Sequence, residues 1–256
     1  MRPATILRNP AVRLGLLLAG AGFVGVLSTL LMPLPVPPGT VLPMPMWMLK
    51  LLSLIQPTVL LLVAVWGGVR LASRVDLHAP VCEAVCTGTS IRSALRPQGV
   101  PGLVGAIASG VGLVAAGLVT PTALAEVQRL FDPPLATRLL YGGITEEVLV
   151  RWGLMTFLLW AGWRLFGSEA QPPGSVLAWG AIALAALLFG VGHLPVAFTL
   201  AEEVTGGVIA YIVGANSAFG VLFGYLFWRY GLEAAIIAHG GAHLVAYLLS
   251  QTPWLA

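Results

Sequence analysis

Two adjacent glutamates and an arginine interrupt a long apolar stretch of this sequence. The segment reads GGITEEVLVR and covers residues 142–151. Glu147 and Arg151 are four residues apart, so on a helix they share one face and can form an ion pair. Glu146 points about 100° away from Glu147 and is left without that partner. A carboxylate held in a dry helix bundle is a candidate general base.

Three of the four histidines also lie in or at the ends of apolar stretches. They are His193, His239 and His243, whereas His78 lies in a polar region. His239 and His243 are four residues apart and share a helix face. Each could be a packing residue with a backbone hydrogen bond. Their clustering in two stretches instead predicts one polar site, and we expect Glu146, His193 and His239 to face one cavity.

The composition defines the elements that must position these side chains. Hydrophobic residues make up 58% of the 256 residues and charged residues 9%, whereas a soluble domain carries about 25% charged residues. This excludes a soluble enzyme, a nucleic-acid binder and a disordered tail. The apolar runs are about twenty residues long, twice the length of a barrel strand. The sequence therefore predicts an all-α, polytopic transmembrane helix bundle in a lipid bilayer.

Hydropathy predicts seven membrane spans joined by polar or proline-rich segments. The spans are 11–32, 47–69, 101–120, 138–163, 175–194, 204–228 and 232–250. Residues 33–45 are proline-rich and predict a turn-forming linker. Residues 70–100 predict the main polar loop, and residues 121–137 predict a short interfacial helix. An odd number of spans places the two ends of the chain on opposite sides of the membrane.

The distribution of basic residues predicts the orientation of these spans. With the N-terminus inside, nine arginines lie on the inner side: Arg2, Arg8, Arg13, Arg70, Arg74, Arg92, Arg96, Arg164 and Arg229. Only Lys50, Arg129 and Arg138 lie outside. Cytoplasmic loops carry the excess of lysine and arginine. We therefore expect a multi-pass protein of a plasma membrane, and its arginine-rich composition indicates a bacterial one.

Two cysteines lie in the predicted inner loop. Cys82 and Cys86 are four residues apart and could form a disulfide or half of a metal site. Free thiols are the expected state in a cytoplasmic loop.

Three motifs occur in order along the second half of the chain. They are Glu-Glu-x-x-x-Arg in EEVLVR (146–151), Phe-x-x-x-His in FGVGH (189–193), and the stretch FGYLFWRYGLEAAIIAH (223–239). Together they resemble the CAAX prenyl protease and bacteriocin-processing family (CPBP), intramembrane metalloproteases also named Abi. The resemblance predicts a catalytic helix core over 138–250. Residues 1–137 are predicted to hold N-terminal transmembrane helices and a cytoplasmic loop within the same integral membrane domain.

The resemblance implies a role for each of the polar residues in an intramembrane endopeptidase. Glu146 and His193 would hold and activate a water, and Glu147 and Arg151 would support them. His239 and His243 would stabilise the oxyanion, although the family usually has Asn or Asp where this chain has His243.

The cofactor question stays open at this point. The family is commonly described as a metalloprotease, and a bound zinc would take His193, His239 and His243 as ligands. The sequence lacks a His-Glu-x-x-His helix signature, and a glutamate–histidine mechanism needs no metal. The expectation is therefore no firmly bound cofactor, with zinc as the alternative.

Other functions compete with the endopeptidase, which would take a peptide or membrane-protein substrate. A proton-coupled transporter or channel could use a buried Glu/His relay, although we find no inverted repeat. A rhomboid-like serine protease would use Ser217 with His239 as base. A membrane scaffold without catalytic activity would tolerate loss of Glu146.

Overall fold

The computed structural model consists of helices and their connections. It describes residues 9–34, 36, 39–168, 171–201 and 203–252. The helices, numbered in chain order, are α1 Pro10–Ser28, α2 Met46–Ser53, α3 Ile55–Leu71, α4 Pro80–Thr87, α5 Ile91–Leu118, α6 Ala125–Leu130, α7 135–166, α8 Ser175–Val191, α9 Leu194–Leu200, α10 Gly206–Tyr230 and α11 Leu232–Ser250. No strand occurs among the described residues, which confirms the predicted all-α class.

Six helical segments are long and apolar enough to cross a membrane. They are Pro10–Leu31, Met46–Arg74, Ile91–Leu118, Ser175–Leu200, Gly206–Tyr230 and Leu232–Ser250. These segments correspond to six of the seven predicted spans and confirm a polytopic membrane protein. The seventh predicted span, 138–163, lies within α7. This helix is equally long, but Glu146, Glu147 and Arg151 make it less apolar than the other six.

The region predicted as one polar loop, 70–100, is largely helical. It contains α4, which ends at Gly88 in the left-handed conformation with φ of +74°. It also contains the start of α5, ten residues before the predicted start of the third span. Ser90 caps α5, and the helix continues through Pro97 and Pro101. Proline normally disfavours a helix interior, but packing of α5 along α11 overrides that local cost.

The segments that flank the membrane spans agree in part with what the sequence predicted for them. Thr122–Leu124 forms a single 3₁₀ turn that leads into α6, where a short helix was predicted. Cys82 and Cys86 are free cysteines on α4, as expected for that loop. Arg2, Arg8 and part of the proline-rich linker, including Pro35, lie outside the described residues.

Helix α7 has an unusual backbone at its centre. The stretches Arg138–Glu146 and Val148–Met155 have π-helical hydrogen bonding, with α-helical residues before and after them. Single π-helical turns inside α-helices occur frequently at functional sites. Glu146 ends the first stretch, and Arg151 lies in the second.

The bundle core positions α7 against α11. Gly143 of α7 and Gly240 of α11 meet at the crossing, where a Cβ on Gly143 would lie 2.7 Å from Cα of Gly240. Two glycines at this point let the helix backbones approach closely. Their approach brings His239, one residue before Gly240, next to the glutamates of α7.

Candidate active site

One large cavity lies inside the bundle and is lined by the four residues predicted to be catalytic. Its volume is about 700 Å³, and its lining comes from the segment 29–34 and from helices α2, α3 and α5 to α11. Glu146, His193, His239 and His243 all line it. Three separate helical segments, α7, the α8–α9 junction and α11, supply these four side chains. Glu146, His193 and His239 therefore face one cavity, and His243 faces it as well.

Glu147 is fully buried and makes two contacts. Its Oε2 lies 3.2 Å from Nε of Arg151, so the predicted pair on one helix face forms. Its Oε1 accepts a hydrogen bond of 2.8 Å from Nδ1 of His239, which the sequence did not predict. A carboxylate can only accept, so the proton of this bond belongs to Nδ1 of His239. Glu147 therefore fixes the His239 ring and directs its Nε2 into the cavity.

Arg151 completes this buried group. Its side chain is 1% exposed, and its guanidinium carbon lies 5.3 Å from the ring centre of Phe189 and 5.7 Å from that of Phe223. Aromatic faces attract a cation at such distances. The same Phe223 ring stacks on His239 with centroids 4.6 Å apart. Arg151, Phe189 and Phe223 thus pack around the His239 ring and help to fix its position.

Glu146 differs from its neighbour because its side chain reaches the cavity. It is 21% exposed, and its Oε2 lies 3.9 Å from Nε2 of His239. It also interacts electrostatically with His193. A separation of 3.9 Å is too long for a direct hydrogen bond, but one water bound to both groups can bridge it. Glu146 is therefore the carboxylate placed to contact a water or a substrate.

His193 lies where the fifth predicted span breaks. Helix α8 ends at Val191, and α9 begins at Leu194 with Pro195 in its first turn. The Nδ1 of His193 donates to the backbone oxygen of Phe189 at 2.8 Å, which leaves Nε2 as the nitrogen available to the cavity. The break between α8 and α9 therefore sets the direction in which the imidazole of His193 points.

His243 lies one turn after His239 and faces the same cavity. The two ring centres are 5.2 Å apart. A Cβ added to Gly142 would lie 3.1 Å from Nε2 of His243 and 3.7 Å from Nε2 of His239. Gly142 therefore provides the space in which these two nitrogens meet the cavity.

Two cavity residues were not identified from the sequence. Tyr141 and Asn216 both line the cavity, and Tyr141 interacts electrostatically with Glu146. Tyr141 precedes Glu146 by five residues, which the π-helical segment places on the same side. A strictly α-helical reading of the sequence did not reveal this, because π-helical hydrogen bonding has no reliable local signal.

The serine predicted for a rhomboid-like mechanism has a different position. The hydroxyl of Ser217 donates to the backbone oxygen of Ala186 at 3.1 Å, between α10 and α8. Ser217 is not among the described residues that line the cavity. Its contact is the interhelical hydrogen bond that small polar residues commonly make in membranes.

The histidines that line the cavity are also candidate metal ligands. No group of three His, Cys, Asp or Glu side chains in the described part of the chain is arranged to hold a metal ion. Nδ1 of His193 and Nδ1 of His239 each donate to a protein acceptor, which leaves Nε2 of each ring available, as in histidines that bind zinc. These hydrogen bonds therefore do not exclude the zinc ligands considered from the sequence. Whether the protein requires zinc stays an untested prediction.

Comparison with known proteins identifies the segment that carries the site. Residues 131–245 match the family described as Rce1-like, type II CAAX prenyl endopeptidase. Neither the curated proteins nor the solved structures contain a match to the chain. The matched segment runs from the start of α7 into α11 and includes Glu146, His193, His239 and His243. Residues 131–245 of this multi-pass membrane protein are therefore similar to the Rce1-like type II CAAX prenyl endopeptidase family.

Proposed function

We propose that this protein hydrolyses a peptide bond of a membrane-associated substrate, using a water activated by Glu146 and His193. The observation that supports the proposal is the convergence of one carboxylate and three imidazoles on a cavity in an otherwise apolar bundle. The substrate would be a peptide or a membrane protein. We further propose that the protein resides in a bacterial plasma membrane.

In this mechanism Glu146 is the general base. It accepts a proton from the water while the water oxygen attacks the carbonyl carbon of the substrate. His193 helps to orient the water, because Nδ1 donates to Phe189 and a neutral ring offers the Nε2 lone pair. Glu146 then returns the proton to the leaving amine as the C–N bond breaks.

His239 and His243 would stabilise the oxyanion. With Nδ1 bound to Glu147, His239 can donate from Nε2 only as an imidazolium. Glu147 holds Nδ1 of the ring, much as a buried carboxylate orients histidine in a catalytic triad. His243 adds a second ring nitrogen on the same side of the cavity. Glu147 and Arg151 are therefore positioning residues in this proposal.

The transporter alternative requires a polar path across the bundle. The connected polar side chains that begin at the cavity instead end at Glu147 and Arg151, whose side chains are 0% and 1% exposed. Trp152 and Phe227 are each 1% exposed and fill the neighbouring core. This arrangement favours a reaction site with one entrance over a relay that connects both sides.

The decisive experiment compares membrane peptides in cells that produce the wild type or the Glu146→Gln variant. Glutamine keeps the shape but cannot act as base, so we expect turnover to fall by about 10²–10⁴-fold. The exposed Glu203 lies outside the cavity, and Glu203→Gln is the matched control. Thermal unfolding of the purified proteins checks that both variants fold. A folded Glu146→Gln protein that still generates the wild-type products would contradict the proposal.

A further inference from the structure

Contacts between helix ends define two opposite ends of the bundle. At one end the Thr137 hydroxyl donates to the backbone oxygen of Ser28 at 2.8 Å, which joins the start of α7 to the end of α1. The Tyr211 hydroxyl donates to the backbone oxygen of Ala116 at 2.9 Å, which joins the start of α10 to the end of α5. We call this end, with the segments 29–34, 119–134, 192–201 and 203–205, the mouth end.

The opposite end is defined in the same way. The backbone N–H of Leu232 donates to the oxygen of His78 at 3.0 Å, so the start of α11 lies against the chain that leads into α4. Arg74 and Arg164 line one surface pocket there, beside the ends of α3 and α7. We call this end, with the segments 72–90, 167–168 and 171–174 and with residue 231, the floor end.

The cavity extends from the polar residues to the mouth end. Its lining includes the 29–34 segment through Met32, Pro33 and Leu34, and the region of α6 through Gln128 and Phe131. No described residue of the floor end lines it. The wall between the polar residues and the mouth is mainly apolar, with Leu60, Leu113, Leu124, Phe131, Ile212 and Phe219.

The floor below the site is closed by tightly packed residues. Gln98 is 0% exposed, and its side-chain oxygen accepts from the backbone N–H of Ala234 at 3.1 Å. Glu233 accepts from the backbone N–H of Cys82 at 2.9 Å, which holds α4 over the start of α11. Trp152 and Phe227 fill the core above these contacts. A peptide arriving from this end would have to displace that core.

The basic residues of the internal loops are unequally divided between the two ends. Six arginines belong to the floor end or to the helix turns next to it: Arg70, Arg74, Arg92, Arg96, Arg164 and Arg229. The mouth end has Lys50, Arg129 and Arg138, and Arg138 forms an ion pair with Asp132. Because cytoplasmic loops carry the excess of lysine and arginine, this division makes the floor end cytoplasmic.

We propose that the cavity opens to the extracytoplasmic side of the membrane, and that the substrate is an apolar, extended peptide segment presented from that side. The segment would belong to a membrane or exported polypeptide rather than to a lipid-modified tail in the cytoplasm. The orientation rests on charges and cavity walls alone. The substrate class rests in addition on the proposed endopeptidase function.

Thiol labelling in intact cells tests the orientation. Both native cysteines are first replaced by alanine; Cys86 is buried, and burial raises the pKa of the Cys82 thiol far above its usual range. Single cysteines are then placed at the mouth (Gln128→Cys, with Ser53→Cys as a second position) and at the floor end (Thr89→Cys). All three native side chains are exposed. The probe is a membrane-impermeant maleimide.

We expect the mouth cysteines to be fully labelled in intact cells, and Thr89→Cys to be labelled only after the cells are lysed. The reverse pattern would overturn the orientation, as would mouth cysteines that react only after lysis or not at all. The substrate class is tested separately by the position of the peptides that change in the Glu146→Gln strain. Cleavage sites in cytoplasmic segments would refute the substrate class. If no peptide changes while the labelling is as expected, the endopeptidase proposal fails and the orientation stands.

Discussion

Replacing Glu147 with glutamine removes the counter-charge of Arg151 without changing the shape of the side chain. Glu147 is 0% exposed and its Oε2 lies 3.2 Å from Nε of Arg151, which is 1% exposed. Breaking a buried ion pair by neutralising one partner costs about 3–5 kcal/mol, because the other charge stays buried without compensation. We expect the free energy of unfolding of Glu147→Gln to fall by this amount.

The double variant Glu147→Gln/Arg151→Met separates stability from catalysis. With both charges removed, most of the lost stability should return, because a buried pair is often replaceable by neutral groups of similar volume. Turnover should not return, because His239 no longer has a carboxylate on Nδ1. By analogy with the orienting carboxylate of a catalytic triad, the remaining loss should be about 10²–10⁴-fold.

Two measurements decide the outcome. Denaturant-induced unfolding in mixed micelles, followed by tryptophan fluorescence, gives the free energy of unfolding. Cleavage of a substrate peptide by protein in proteoliposomes gives turnover. Glu203→Gln serves as the control for a single charge change at an exposed site. A single variant as stable as the wild type would refute the role of the ion pair. A double variant with wild-type turnover would refute the role of Glu147 in orienting His239.

Three further predictions concern single residues of α7, α10 and α11. His243→Ala should slow turnover by about 10²–10³-fold, the usual loss of one oxyanion donor. His243→Asn should recover much of that turnover, because an amide also donates. Zinc near one equivalent per chain, with inactivation by a chelator and by His243→Asn, would instead indicate a metal centre. Gly142→Ala should reduce turnover because its Cβ would lie 3.1 Å from Nε2 of His243, whereas Gly180→Ala, with open space around it, should leave turnover unchanged in the same peptide assay. Ser217→Ala should lower the free energy of unfolding by about 1 kcal/mol through loss of its hydrogen bond to Ala186 and should keep full activity; an inactive, folded variant would revive the serine mechanism.

Much of the fold could be predicted because it depends on local composition. Twenty-residue apolar runs are insoluble unless a bilayer or a protein core covers them, so six spans could be located from hydropathy alone. Helix geometry alone separated Glu146 from Glu147, since adjacent residues point in different directions. Ordered motifs around Glu146, His193 and His239 were sufficient to predict the family.

Local patterns failed where contacts between distant segments decide the conformation. Hydropathy and proline chemistry placed the third span ten residues too late, because they contain no information about the packing of α5 along α11. The hydrogen bond between Glu147 and His239 joins residues 92 positions apart, and it exists because Gly143 and Gly240 let two helices touch. The extension of the cavity to the mouth end has the same origin. The sequence by itself determined which residues carry charge and which helices cross the membrane. The crossings between helices determined which charged side chains contact each other, because such contacts depend on distances that no local pattern contains.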